Sequence, residues 1–149
     1  MSTNIETKTA RVSSMDDQSI EEVIQGRGLA APRVTPADIE AAIVGEYYFT
    51  AAEGFQGALA EGLYNHAPLP PMRHADLIPL QLLTFCVLVL KNQYTVTGES
   101  ACASSANFDP ELGRKIARQN AVSKVWPLLG FELRSRLAGE GGLKKSVQP

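Results

Sequence analysis

The chain has 149 residues, of which 44% are hydrophobic and 20% charged, and its formal net charge is -2. This length fits one domain, and the composition excludes collagen-like, coiled-coil and wholly disordered proteins. The charge is uneven, because residues 1–109 sum to -7 and residues 110–149 to +5.

Residues 1–33 are predicted to form a largely disordered N-terminal arm, because they are polar and hold none of the ten aromatic residues. Within the arm, residues 19–24 could form one or two helical turns, which are marginal unless they dock on a surface. The amino terminus lacks the apolar core of a secretory signal, and no stretch reaches the roughly 18 apolar residues of a membrane span. A cytosolic protein is therefore predicted.

An amphipathic helix is predicted from about Pro36 to Tyr48. Thr35 can cap its free N–H groups, and Pro36 suits the first helical position. The apolar stripe that supports it recurs every three or four residues: Ile39, Ala42, Ile43 and Tyr47.

A second helix is predicted over residues 50–62, followed by a proline-rich connecting loop from Tyr64 to Pro79. Thr50 and Glu53 have the spacing of a capping box, although three glycines weaken the helix that follows. The loop carries four prolines, which remove backbone donors and favour extended conformations.

The most apolar part of the chain is predicted to be a β-hairpin. Residues 82–90 are apolar on both alternating faces, as in a strand buried on both sides, and residues 94–97 alternate cleanly. A turn over residues 91–93 joins them, with Asn92 the residue best able to adopt a positive φ.

Cys86 and Cys102 are predicted to be free thiols. A two-residue turn puts them on opposite faces of the hairpin, and a three-residue turn leaves them four positions apart on one face. A zinc site would combine them with His66 and His74, whose separations match no zinc motif. No metal and no cofactor are predicted.

Asp109 as cap and Pro110 at the first position predict a helix that ends near Trp126. Its apolar residues spread around the helix, which indicates contact with two surfaces. Pro127 is expected to kink the helix or to begin a new short element. Residues 139–149 are predicted to be a flexible basic tail.

These elements predict an α+β domain over residues 34–138, in which an antiparallel β-hairpin or small sheet packs on two main α-helices. Two strands are marginal in water, so either residues 64–80 or a second copy of the chain is expected to supply a third strand. This need, with the opposite charges of the two parts, predicts a homo-oligomer.

The residues from Leu83 to Leu137 carry a distinctive order of short motifs: a Lys-Asn turn after the apolar strand, Val-Thr-Gly-Glu-Ser-Ala-Cys, Asn-Phe-Asp, Gly-Arg-Lys and Trp-Pro-Leu. With this order the chain resembles a family of small tailed-phage proteins named for gene 49 of phage N-four and gene 66 of phage Sf-six. The preceding VTPADIEAAI and EYYFTAAEGFQGA resemble the leading half of longer members. The resemblance implies a phage or prophage origin and action in the host bacterial cytoplasm, and it carries over no functional residues.

Seven residues of the hairpin, of the following helix and of the segment between them are candidates for binding a ligand or partner: Arg114, Lys115, Arg118, Ser105, Asn107, Glu99 and Ser100. The three cations lie in the first two helical turns, where they oppose the helix dipole, so a compensating acid or a small anionic ligand is expected. Glu111 could itself pair with Lys115 across one helical turn. An anion site and a solvated or salt-bridged face both remain open.

No catalytic residues are predicted. Thiol chemistry would need Cys102 beside a histidine, and both histidines lie in the proline-rich loop. Gly98 is instead expected to permit a close backbone approach, with Ser100 and Cys102 filling a packed junction.

The favoured interpretation is a non-enzymatic phage accessory protein that binds a host protein and counteracts a host defence. Its binding surface would comprise the exposed hairpin end and the three cations. The alternative is a nucleotide or nucleic-acid binding protein that uses the basic face of the 110–126 helix. An enzyme that uses Glu99, Ser100 or Cys102 ranks last of the three interpretations.

Overall fold

The computed structural model describes residues 16–62 and 71–146, which fall into two compact units: residues 41–129, and the residues before and after them. The elements in chain order are α1 (Asp17–Gly26), α2 (Pro36–Ala42), β1 (Ile43–Thr50), α3 (Ala51–Ala60), α4 (Leu77–Gln81), β2 (Leu83–Leu90), β3 (Thr95–Ala101) and α5 (Pro110–Ser146). Single 3-10 turns cover His74–Asp76 and Ser105–Asn107.

The three strands form one antiparallel sheet in the order β1-β2-β3. The predicted α+β class is confirmed, and so is the hairpin of β2 and β3. The third strand, however, is β1, so the expectation that residues 64–80 or a second copy must supply it is wrong. Residues 64–70 of that segment lie outside the described chain, and α4 begins within it at Leu77.

The predicted helix from Pro36 to Tyr48 is wrong beyond Ala42. Aromatic and β-branched side chains from Ile43 onward fit a pleated surface better than a helix, and β1 pairs with β2 along its length. The helix over residues 50–62 is confirmed as α3. Its Thr50–Glu53 capping box is complete, which fixes the end of β1 and the start of α3 at one residue.

A three-residue turn joins β2 to β3. The Leu90 and Tyr94 backbones bond across it, and Gln93, rather than Asn92, adopts the positive φ of 72°. The Asn92 side chain instead accepts a hydrogen bond from the Tyr94 N–H at 3.0 Å. In this register Cys86 faces Gly98, and both cysteines are free as predicted.

One face of the sheet is buried and the other is open. Along β2, every second residue from Thr84 to Leu90 is buried, whereas the residues between them are half-buried. The prediction of a strand buried on both sides is therefore wrong. The buried face packs against the first half of α5, where Ala117, Ala121 and Val125 are fully buried at a spacing of four residues.

Helix α5 is continuous from Pro110 to Ser146, with Pro127 inside it. No new element begins at Pro127, because a proline removes one backbone donor while the residues after it remain helix formers. The helix also passes Gly139, where a flexible tail was predicted, since extending a formed helix is far easier than starting one. The division into arm, domain and tail itself stays a prediction, and residues 1–15 lie outside the described chain.

Residues 17–26 form a helix longer than the one or two turns that could form within the predicted disordered arm. Its cap is Asp16, which accepts a hydrogen bond from the Ser19 N–H at 2.8 Å, and hydrogen bonding from the Ser19 side chain and backbone lowers the Asp16 pKa. Glu21 is only 6% exposed and forms a two-pronged ion pair with Arg33. Gln25 donates to the same carboxylate at 2.8 Å, so this helix is joined to the segment that follows it.

The Glu21–Arg33 ion pair predicts a specific pH dependence of stability. Arg33 holds the pKa of Glu21 below its ordinary value of 4.5, so the stabilisation is present above that pH and is lost as the pH falls through the lowered pKa. Glu21→Gln is expected to remove this contribution. Thermal melts should show a large Tm difference from the wild type at neutral pH and a smaller one at the lowest pH at which the wild type still folds. Glu22→Gln, at an exposed neighbour, is the control, and an equal Tm difference at both pH values would contradict the prediction.

Candidate functional site

Helix α5 and strand β3 touch at Gly98 without an intervening side chain. A Cβ atom on Gly98 would lie 2.1 Å from the Ala117 carbonyl oxygen and 2.3 Å from the Ala121 nitrogen. The predicted close backbone approach at Gly98 is thus confirmed, and its partner is the helix. Small residues on both sides therefore fix the position of α5 on the sheet.

Polar side chains of α5 cover the outer edge of β3. The Asn120 amide donates to the Glu99 carbonyl oxygen at 2.7 Å, and the Lys124 ammonium donates to the Thr97 carbonyl oxygen at 2.6 Å. Both carbonyls point away from β2, because the neighbouring even-numbered residues of β3 make the bonds to β2. This edge strand is therefore partly capped by side chains.

At the other edge of the sheet, away from β3, the Arg118 side chain reaches strand β1. Its guanidinium bonds the Glu46 carboxylate at 2.7 Å, and the Tyr48 hydroxyl donates to the same carboxylate at 3.1 Å. Tyr48 lies opposite Cys86, and burial raises the pKa of both groups. The Cys86 thiol is therefore protonated at neutral pH and is a poor nucleophile.

The three predicted cations do not form one unpaired cluster. Lys115 pairs with Glu111 at 3.0 Å along the exposed helix surface, and Arg118 pairs with Glu46. Arg114 is exposed. The chain itself thus supplies the acids that compensate for the unfavourable position of Lys115 and Arg118 near the N-terminus of the helix.

The remaining predicted site residues are divided between two cavities and the open face of the sheet. Ser100 and Asn107 line a cavity of about 270 Å³ with Cys102, whose thiol donates to the Ser104 carbonyl oxygen at 3.1 Å. Ser105 lines a neighbouring cavity of about 320 Å³. Glu99 is exposed on the open face. The structure does not bring the seven predicted residues together.

The open face of the sheet carries exposed aromatic and aliphatic side chains. Tyr47 and Phe49 of β1 are 61% and 37% exposed, and they lie opposite the half-buried Val87 and Phe85 of β2. The rings of Phe49 and Phe85 lie 5.6 Å apart. We call the surface formed by Tyr47, Phe49, Phe85, Val87 and Val89 the open-face patch.

Sequence reasoning missed the open-face patch because β1 was assigned to a helix. A sequence signal for this strand was present in the capping box. Because Thr50 can cap only a helix that begins after it, the element that contains Tyr47 to Phe49 has to end at Thr50. Read as a strand, the same run predicts an aromatic face next to the hairpin.

Two further chemistries receive no support from the described residues. Among residues 16–62 and 71–146, no group of three or more potential ligand side chains could hold a metal ion. None of the helices within these ranges is long and apolar enough to cross a membrane. His66, one of the four residues weighed for zinc, lies outside the described chain.

The fold and surface thus define a small α+β protein whose three-stranded sheet is covered by a long helix on one face and open on the other. Residues 34–137 match the model of the phage protein (N4 Gp49/phage Sf6 gene 66) family, and the chain belongs to that family. The resemblance carried by the sequence motifs is confirmed, and the match also includes α2 and β1. No curated protein and no solved structure matches the chain.

Proposed function

We propose that this phage protein is a non-enzymatic accessory protein that binds a host protein in the bacterial cytoplasm and thereby counteracts a host defence. The observation that supports it is the open-face patch, on which Tyr47 is 61% exposed beside other apolar side chains. Aromatic residues are enriched at protein interfaces, and clustered exposed apolar side chains mark surfaces that bind other molecules.

The alternative, a nucleotide or nucleic-acid ligand on the basic face of α5, receives less support. Lys115 and Arg118 already have carboxylate partners within 3.0 Å. A phosphate would have to displace those acids, and it would gain little from cations that are already balanced. On the open-face patch, by contrast, Tyr47 and Phe49 remain 61% and 37% exposed, which favours a protein ligand.

The test blocks the open-face patch from its β3 side. Thr97 is exposed and lies opposite Val87, so Thr97→Arg places a long charged side chain beside the patch. Tagged full-length protein is incubated with host lysate, and captured proteins are quantified. We expect Thr97→Arg to lower the amount of a host protein that the wild type captures by about tenfold or more. A tenfold loss of affinity corresponds to about 1.4 kcal/mol of binding free energy.

The matched control is the double variant Arg114→Ala and Lys115→Ala, which tests the basic face of α5. We expect it to capture the same protein as the wild type. Loss of capture in this variant, or thermal stabilisation of the wild type by nucleotides, would support the alternative function instead.

The defence part of the proposal is tested by phage plating. A host strain carrying a defence system is made to express the wild type or Thr97→Arg, and plaques of a sensitive phage are counted. The wild type should raise the plating efficiency and Thr97→Arg should not. Equal plating with both proteins and with an empty vector would refute this part.

A further inference from the structure

The two edges of the sheet differ in how their outward backbone groups are used. At β3, Asn120 and Lys124 of α5 occupy the outward carbonyls of Glu99 and Thr97. This covering blocks the addition of another strand there, as natural edge strands commonly require. Among the described residues, the edge of β1 is covered in this way only at Thr50, whose N–H donates to the Glu53 side chain.

The outward backbone groups of β1 follow from the bonding pattern. Even-numbered residues of β2 bond β3, as the Leu90–Tyr94 and Leu82–Cys102 bonds show, so odd-numbered ones bond β1. Tyr47 lies opposite Val87 and is thus bonded to β2, which leaves the peptide groups of its neighbours in β1 pointing outward.

The open stretch of this edge is short. The Thr50 N–H already donates to the Glu53 carboxylate at 3.3 Å, and a bulge at Ile43–Gly45 interrupts the other end of the strand. Among the hydrogen bonds of the described residues, none reaches the outward peptide groups of Glu46 or Tyr48. Within residues 16–62 and 71–146, the outward backbone donors and acceptors of the two residues that flank Tyr47 thus have no hydrogen-bond partner.

We propose that this edge pairs with the same edge of a second copy of the chain, across a two-fold axis at Tyr47, so that two sheets join into one of six strands. In this register Glu46 lies opposite Tyr48 of the second copy and Tyr48 lies opposite Glu46. Each of these two pairs exchanges both backbone bonds, and the two Tyr47 side chains meet between them as a closely spaced pair.

The charges and the shortness of the edge favour a second copy over an unrelated strand. Each Glu46 carboxylate is paired with Arg118 at 2.7 Å, so two copies can approach without an unpaired carboxylate on either side. An unrelated strand would use one Tyr47 ring, whereas the two-fold axis brings together two rings that are both 61% exposed. The symmetric pairing also makes the open-face patch continuous between the copies.

The first test is the mass of the purified full-length protein in solution, measured by light scattering during size exclusion. The wild type should have twice the chain mass of 16.1 kDa at micromolar concentration. Tyr47→Lys places two ammonium groups at the axis and should return the mass to that of one chain. Tyr94→Lys, at a 55% exposed tyrosine of the hairpin turn, should remain dimeric.

The second test does not depend on weakening the interface. In a Cys102→Ser background, Tyr47→Cys brings two thiols together at a pair whose Cα atoms lie about 4.5 Å apart, which suits a disulfide. Mild oxidation should convert most of this variant to a covalent dimer. Thr97→Cys in the same background places the thiol on the capped edge of β3. This variant should run as a monomer on non-reducing denaturing electrophoresis.

A monomeric wild type, or a Tyr47→Cys variant that forms no more covalent dimer than Thr97→Cys, would overturn the inference. Both measurements use purified protein alone. The proposed function is tested separately, because its test compares the capture of a host protein by the wild type and by Thr97→Arg. A monomer that still captures a host protein would refute only the dimer.

Discussion

Gly98→Ala is expected to destabilise the fold by about 3 kcal/mol or more, at the upper end of what overpacking costs. The added Cβ would lie 2.1 Å from a backbone oxygen of α5, and backbone atoms cannot rotate away as a side chain would. The helix must therefore move off the sheet, and its contacts with β2 move with it. Chemical denaturation followed by circular dichroism measures the loss directly.

The control for Gly98→Ala is Gly57→Ala in α3, where an added Cβ meets nothing within 4 Å. Alanine is the better helix former by about 1 kcal/mol, so this variant should be as stable as the wild type or more stable. If both variants were equally stable, α5 would not rest on Gly98 as described.

Leu88→Ala is the second substitution with a large expected effect, about 3 kcal/mol or more of lost stability. Leu88 is fully buried in the second half of β2, on the face covered by α5. Removing its side chain leaves a cavity on the buried face of the sheet, which the surrounding helix and strands can close only in part.

Its control is Val87→Ala, the adjacent residue on the open face. Val87 is half-buried, so its truncation should cost about 1 kcal/mol or less, near the centre of the distribution for point substitutions. Denaturation curves of the two variants thus compare the two faces of one strand. Equal losses would mean that the open face is as well covered as the buried one.

The elements with local signals could be predicted from the sequence. The Thr50–Glu53 capping box, the hairpin and the start of α5 at Pro110 each depend on neighbouring residues, and each is confirmed. Pro127 and Gly139 also have strong local preferences, but there the continuity of α5 prevails. A single proline costs less than breaking the helix and capping two new ends.

The candidate site could be predicted less well, because it depends on contacts between distant parts of the chain. Arg118 was predicted to need an acid or an anionic ligand, and its partner, Glu46, lies 72 residues earlier in the chain. That pairing exists only because β1 joins the sheet, which the apparent helical spacing of Ile39, Ala42, Ile43 and Tyr47 concealed. Ser100 and Asn107 line one cavity, and no sequence pattern predicted that they would.

The chain path through the sheet also bears on the order in which the protein folds. Strands β2 and β3 close through a three-residue turn, whereas β1 is separated from β2 by the whole segment between Thr50 and Leu83. Closing that longer loop costs more entropy, so the hairpin is expected to form first. Until β1 arrives, the most apolar strand of the protein is itself an unprotected edge. Nascent chains would therefore be most prone to aggregate in this interval, and faster docking of β1 would shorten it.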